Sequence, residues 1–317
     1  MQTRETHART GLRTFDWRQY VVYFGFVLIF IVFSVTLSDS GFLTVNNLLN
    51  IVRQTAVISV MAVAVTFVIA CAEIDLSVGA VAGLASVTAA MGIASFGLLP
   101  GVVIGLLTGL IVGLINGTLV TRVGIPSFLV TLGMLGIATG TAMWITDTAP
   151  IPILNSTFNN IFGSGQIGPI PSLFIWTLVA FIVGHIVLTR TTYGRKVLAT
   201  GGNEMAARFS GINTARIKLI ALTTSSVVAA LAGMLYAGRL QSGRFQWGQG
   251  DELSVIAAVI LGGTSLFGGM GTVVGTIIGS LMIGLINNGL ILLGLEYSQQ
   301  LIVRGIIIIL AVALGRK

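Results

Sequence analysis

The sequence predicts an all-α membrane protein of about ten transmembrane helices, and three observations lead there. Of 317 residues, 55% are hydrophobic and only 9% are charged. A soluble domain carries about 25% charged residues. The mean hydropathy is +0.98. The apolar runs are continuous and do not alternate with polar residues. A water-soluble chain this apolar would lack the polar surface to cover its core. Hydrocarbon offers no partner to backbone N–H and C=O groups, so only helices or closed barrels span it. A barrel needs alternation, so helices are expected. The single cysteine, Cys71, excludes an internal disulfide framework and reads as a small core residue.

The elements follow from the gaps between charges. A crossing takes about 20 mostly apolar residues. Charge-free segments of that length lie at 19–38, 54–72, 123–146 and 219–238. Residues 76–121 suffice for two crossings, parted by a turn at FGLLPG (96–101) with Pro100 as the helix breaker. A Pro/Gly/Asn-rich loop at 147–172 precedes a span at 173–189. Residues 253–295 suffice for two more, divided by GGTSLFGGMG (262–271). The first of these pieces, 253–261, is short for a crossing and reads as a half-helix or re-entrant segment. The last span runs from about 298 to 315. Residues 1–18 form a basic cytoplasmic tail, and 19–317 form one transmembrane domain. The first apolar run is full length with no small-residue cleavage site after it, so it reads as a retained helix.

Lysine and arginine placement orients the bundle. With the N-terminus in the cytoplasm, ten crossings return the C-terminus there. Thirteen basic residues then fall inside, and only Arg239 and Arg244 fall in an outer loop. Arg53 and Arg304 sit near outer helix ends, where they could snorkel. The net charge of +7 is therefore a topology signal, and nucleic acid is not an expected partner.

Two weak internal echoes share an order and a spacing. DLSVGAVAG (75–83) resembles ELSVIAAVI (252–260), and GLING (113–117) resembles GLINN (284–288). In this topology the copies start at opposite faces, which makes an inverted repeat of spans 2–5 on spans 7–10. Such repeats suit transporters, because similar halves can open a central path to either side. Glycines at small-xxx-small spacing, Gly105, Gly109 and Gly113, then Gly271, Gly275 and Gly279, let helix backbones approach closely. They predict that the spans carrying them are buried in the bundle.

Some chemistry is missing from the sequence. No G-x-x-x-x-G-K-[ST] occurs, and none of the lysines, Lys196, Lys218 and Lys317, follows a glycine. The spans lack the carboxylate or histidine chains of proton-coupled carriers. His185 reads as a helix-end residue. No nucleophile–base pair or metal-ligand cluster stands out, so no catalytic residue, metal or cofactor is assigned. Uphill transport would draw its energy through a partner. The basic loop at 190–218 is the expected contact, with NEMAARFSG (203–211) a short helix started by Asn203 and stopped by Gly211. A solvated loop is the plain alternative.

Four stretches then carry a resemblance: EIDLSVGA (73–80), PSFLVTLGML (126–135), YGRKVLATGGNEMAARFSGI (193–212) and IAAVILGGTSLFGGMGTVVGTIIGSLMIGLINNGL (256–290). The chain resembles permease subunits of bacterial ATP-binding cassette importers in the ribose, xylose and arabinose branch. The similarity runs from about residue 20 to 315. Glu73 departs from the pattern, since many relatives have glycine there. The resemblance implies an inner-membrane homodimer of permeases, a cytoplasmic ATPase that holds ATP and Mg, and a periplasmic sugar-binding protein. It implies coupling to the ATPase through Gly202, Asn203, Ala206, Ala207, Gly211 and Ile212. Ala207 is expected on the face pressed into the ATPase.

Candidate pathway residues are the hydrogen-bonding side chains of the spans, Asn116, Asn287 and Asn288. Bonding between helices is the alternative for each, because a buried amide needs a partner. Arg239 and Arg244 are expected to face carboxylates of the binding protein. Glu73 and Asp75 are read as caps of the third span. A permease for branched-chain amino acids, nucleosides or a sugar-derived signal fits the same features. An ion-coupled carrier fits the repeat but lacks an ion site.

Overall fold

The computed structural model describes residues 21–314. The expected tail, 1–18, and the terminal Arg316 and Lys317 lie outside the described residues. Thirteen α-helices follow one another among those that are described: α1 (Val21–Thr36), α2 (Val45–Ala70), α3 (Val78–Phe96), α4 (Leu98–Thr118), α5 (Ser127–Thr146), α6 (Ser156–Asn159), α7 (Ser172–Arg190), α8 (Thr192–Gly202), α9 (Glu204–Phe209), α10 (Thr214–Leu240), α11 (Asp251–Leu261), α12 (Val273–Leu292) and α13 (Tyr297–Leu314). Two tiny antiparallel ribbons complete the fold. Ile151–Pro152 (β1) pairs with Ser242–Gly243 (β4), and Gln166–Ile167 (β2) pairs with Ile170–Pro171 (β3).

Seven of these helices are long and apolar enough to cross a bilayer: α2, α3, α4 with its π-helical extension to Val123, α5, α7, α10 and α12. The multi-pass helical class therefore stands. Length and composition give seven of the expected ten: α1 spans 16 residues, α11 only 11, and α13 is not among the seven. The turn between α3 and α4 is made by Gly97, at φ +90°. Pro100 breaks nothing. It sits in the first turn of α4, where a missing N–H costs no hydrogen bond.

Helices α2, α3 and α10 form the centre. Their Ala, Val and Met side chains make most of the main core, with Val57, Val60, Val65, Val81, Met234 and Leu235 fully enclosed. The glycine stripes pack as backbone-to-backbone seams. A Cβ on Gly109 would lie 2.5 Å from the Ser226 carbonyl of α10, and one on Gly113 would lie 2.7 Å from the Cα of Thr223. The expectation of a buried fourth span holds only for that seam. Leu107, Leu110, Ile111, Leu114 and Ile115 leave the rest of α4 exposed, since glycine buries one stripe of a helix and not its whole circumference. The seam recurs on α12, where a Cβ on Gly279 would meet the Ala258 carbonyl of α11 and one on Gly284 would meet Thr55 of α2.

The two sequence echoes occupy corresponding places. Helix α3 packs on α4 and α10, while α11 packs on α12 and α2. Gly113 of GLING faces Thr223 of α10, and Gly284 of GLINN faces Thr55 of α2. The expected start of the two copies at opposite faces needs a correction: α3 and α11 begin together, with Gly79 against Gly248 and Glu252. They then run to opposite ends of the bundle. The stretch after α11 brings Gly268 and Gly269 onto Ala70, Ala72, Gly201 and Gly202, while α3 ends at the far turn into α4.

Candidate functional site

Two non-helical segments enter the bundle, 71–77 before α3 and 241–250 before α11. A backbone that leaves the helix must find other partners for its polar groups. Residues 71–73 still donate to α2 carbonyls, and for Ile74 and Leu76 the partners are side chains of α5. Ser127 Oγ accepts from Ile74 N–H at 3.0 Å, and Thr131 Oγ1 accepts from Leu76 N–H at 3.0 Å. Asp75 is fully buried. Its carboxylate accepts from Ser77 N–H at 2.9 Å, from Ser77 Oγ at 2.6 Å and from Ser225 Oγ of α10 at 2.8 Å. Asp75 thus organises the start of α3, close to the capping role expected of it.

Glu73 does something else. It reaches Lys218 of α10 at 2.6 Å, and the same ammonium meets Glu204 of α9 at 2.7 Å. Glu204 in turn pairs with Arg208 at 2.5 Å and accepts from Thr214 at 3.1 Å. Burial alone would raise the Glu204 carboxyl, but the hydrogen bonds from Lys218, Arg208 and Thr214 outweigh it and hold it below the usual carboxylate range. A cavity of about 300 Å³ opens beside this chain of charges, lined by Glu73, Thr121, Ser127, Glu204, Arg208 and Lys218. Sequence reading had Glu73 as a cap of the third span and assigned no site role to Thr121, Ser127, Glu204, Arg208 or Lys218. The available signal was that Glu73, Glu204 and Lys218 are isolated charges on one expected face of a nearly uncharged bundle.

The loop between α7 and α10 folds as α8 and α9. Asn203 Oδ1 accepts from Ala206 N–H at 2.9 Å and caps α9, as its side chain suits. Gly211 ends the turn at φ +81°. The expected placement of Ala207 on the outward, docking face needs a correction. Ala206 is exposed, but Ala207 is only 5% exposed and points into the chain. Successive helix residues turn by about 100°, so the side opposite Ala207 carries the exposed Met205 and Phe209. Ile212 packs partly buried in the cluster with Ile217 and Leu222. Gly202 lies against Gly269.

The asparagines separate. Asn288 and Asn47 exchange amide hydrogen bonds at 2.9 and 3.0 Å, clasping α12 to α2. Asn116 is fully buried and donates to Ser77 Oγ at 3.1 Å. Both make contacts between segments of the chain, the alternative weighed for them. Asn287 is half-buried. The outer arginines are not free in a loop either. Arg239 belongs to the last turn of α10, where its half-buried guanidinium donates to the Arg53 carbonyl at 3.3 Å. Arg244 stacks over Trp247 at 5.6 Å, and its backbone N–H donates to Ser86 Oγ at 3.2 Å.

Comparison with known proteins adds to this geometry. The family model described as "Branched-chain amino acid transport system / permease component" matches residues 47–312. The chain is 41% identical over 292 residues to the ribose import permease protein RbsC of Bacillus subtilis (strain 168), covering 92% of this chain and 91% of that protein. It is 40% identical to the ribose import permease protein RbsC of Escherichia coli (strain K12), covering 92% of each. It is 38% identical to the D-allose transport system permease protein AlsC of Escherichia coli (strain K12), covering 95% of this chain and 92% of that protein. No solved structure matches the chain. With a family match over most of its length, the chain belongs to the branched-chain amino acid transport system permease component family.

Proposed function

We propose that the chain is the membrane-spanning subunit of an ATP-driven importer that moves a monosaccharide, with ribose the first candidate. The observation that carries this reading is 40–41% identity, over 92% of the chain, to two ribose import permeases. A periplasmic binding protein would deliver the sugar. A cytoplasmic ATPase would hold ATP and Mg, since the chain has no P-loop sequence. A second copy of the chain would complete the membrane part.

In this reading ten crossings place both termini in the cytoplasm. The pairs 71–77 with α3 and 241–250 with α11 are then two broken crossings of opposite direction. The two halves are inverted repeats, an arrangement that brings discontinuous helices together near the midplane. Met205, Ala206 and Phe209 form the outward face of α9, with Gly202, Asn203 and Gly211 framing it, and the ATPase docks there. Lys218 then links that docking helix to the segment before α3, because it pairs with Glu204 and Glu73 together. Arg239 and Arg244 remain candidates for the binding-protein side through their exposed portions.

The direct test is uptake of radiolabelled ribose in a strain that lacks its own ribose permease, with the partner subunits supplied. Excess allose and arabinose are added as competitors, and leucine uptake is measured beside it. ATP-dependent ribose uptake is expected. Leucine uptake without ribose uptake favours the amino-acid reading that the family description carries. Uptake driven by an ion gradient after ATP depletion favours a secondary carrier. For docking, Phe209→Asp should release the ATPase on co-purification without loss of permease. Ala207→Asp should lower permease abundance itself, since the charge is buried inside the chain.

A further inference from the structure

Two of the asparagines first suggested for a path, Asn116 and Asn288, are engaged in contacts within the chain. The segment between α10 and α11 differs. It leaves α10 at Gln241, pairs with β1 at Ser242–Gly243, and then runs down the face of α3. A Cβ on Gly243 would meet Ala90, one on Gly83 would meet the carbonyls of Phe245 and Trp247, and one on Gly79 would meet the carbonyl of Gly248. Gly243 also meets the Ser86 carbonyl, so the level along α3 falls from residues 86–90 to residue 79 as the loop advances from 243 to 248. At 1.5 Å per residue this is a descent of about 10–16 Å, ending about 25 Å along α3 from Phe96.

Such a depth covers most of a hydrocarbon layer about 30 Å thick. Irregular backbone persists there only where protein buries it or water reaches it. The backbone of this loop is buried on α3, yet the side chains of Gln246 and Gln249 are exposed. A glutamine amide turned into hydrocarbon would lose its hydrogen bonds. Glu252 follows, half-buried, its carboxylate against Gly79, and it forms no ion pair among the described residues. A water-filled space beside this loop would supply partners to the two amides and to the carboxylate.

We propose that segment 243–252 lines the aqueous solute path, and that Gln246, Gln249 and Glu252 supply the amide and carboxylate groups that hydrogen-bond a polyhydroxylated solute as it passes. The chemistry of the solute rests on the sugar-permease reading. The position of the path does not.

The test is cysteine accessibility in the assembled transporter, probed with a membrane-impermeant methanethiosulfonate. The background is quiet, because Cys71 is buried. Cysteine at an exposed glutamine displaces no packed atom, so the variants should assemble. Gln246→Cys and Gln249→Cys should react about tenfold faster or more than Ile137→Cys on the exposed apolar face of α5. Equal rates at Gln249→Cys and Ile137→Cys overturn the proposal. Reaction at Gln246→Cys alone also overturns it, since water then reaches only the upper end of the loop. For the solute contact, Gln249→Ala should raise the half-saturating ribose concentration roughly fivefold to tenfold with the maximal rate kept. An unchanged concentration dependence removes the solute contact. Fast labelling in a protein that carries no ribose keeps the path and refutes only the sugar.

Discussion

Segments 71–77 and 241–250 lead into α3 and α11, two helices that begin against each other, yet the segments are held by different physics. The first is held by side chains. Hydroxyls of Ser127, Thr131 and Ser225, the carboxylate of Asp75 and the Glu73–Lys218 pair engage it from α5 and α10. The second is held mainly by close backbone approach over small residues, with the Phe245, Trp247 and Gly248 carbonyls laid on Gly83 and Gly79. Trp247 adds a hydrogen bond to the Ser242 carbonyl at 2.7 Å. The lesson is that side-chain anchors can be released by moving a partner charge, whereas a steric seam cannot be released without separating the backbones. This contrast supports the proposed reading, in which the first segment couples to the ATPase and the second is a fixed lining.

The largest effect should come from filling the seam. A Cβ on Gly79 would lie 2.2 Å from the Gly248 carbonyl oxygen, closer than any side chain tolerates. Gly79→Val should therefore destabilise the permease by about 3 kcal/mol, read as lost membrane abundance and a lowered melting temperature in detergent. A normal melting temperature would mean that the loop is loosely laid and the contrast between the segments is wrong.

Next comes Asp75→Ala. It leaves the Ser77 and Ser225 donors without their acceptor, at a cost of about 1–3 kcal/mol. Asp75→Asn keeps one acceptor oxygen and should cost less. Equal melting temperatures for the two variants would show that charge, and not acceptor geometry, anchors the first segment.

Lys218→Met sharpens the comparison by function. Stability should also fall, by about 1–3 kcal/mol, since the buried Glu73 carboxylate loses its partner while the pair with Glu204 is partly exposed. Coupling should suffer more: the ATPase should still co-purify, while hydrolysis no longer responds to sugar-loaded binding protein. Exchanging the charges, Glu73→Lys with Lys218→Glu, should not restore it, because Glu204 would then face a carboxylate. Adding Glu204→Lys should restore part of it. Unchanged coupling in Lys218→Met would remove the relay.

The smallest effect is on pH. The folded Glu204 carboxyl is held below its ordinary value of 4.5. The unfolded chain therefore binds this proton first, and the stabilisation is fully present above that range. It is lost as pH falls through the folded value. Thermal unfolding from pH 7 to 3 should show this loss in the wild type and a smaller one in Glu204→Gln.

Much of this was legible in the sequence. Long uncharged runs disclosed the helices because hydrocarbon excludes charge, and the short run at 253–261 foretold α11. Asn203 and Gly211 marked the ends of α9 through local hydrogen bonding and backbone geometry alone. The echo between DLSV and ELSV marked two helix starts, but not their placement: the copies were expected at opposite faces, and α3 and α11 begin against each other. Direction around a short helix was not legible. The inward turn of Ala207 depends on where α8 and α10 hold α9, and no local rule sets that.

The sequence by itself determined the membrane class, the helical segments and the family, because these depend on composition, run length and contiguous motifs. Only the tertiary structure decided which polar groups meet. Glu73 and Lys218 are 145 positions apart, and Asp75 and Ser225 are 150 apart, yet each pair is in contact. Asn47 and Asn288 close on each other across 241 positions. A polar residue in an apolar chain announces that it needs a partner. Its burial, its distance from each candidate and the course of the intervening backbone decide which partner it finds.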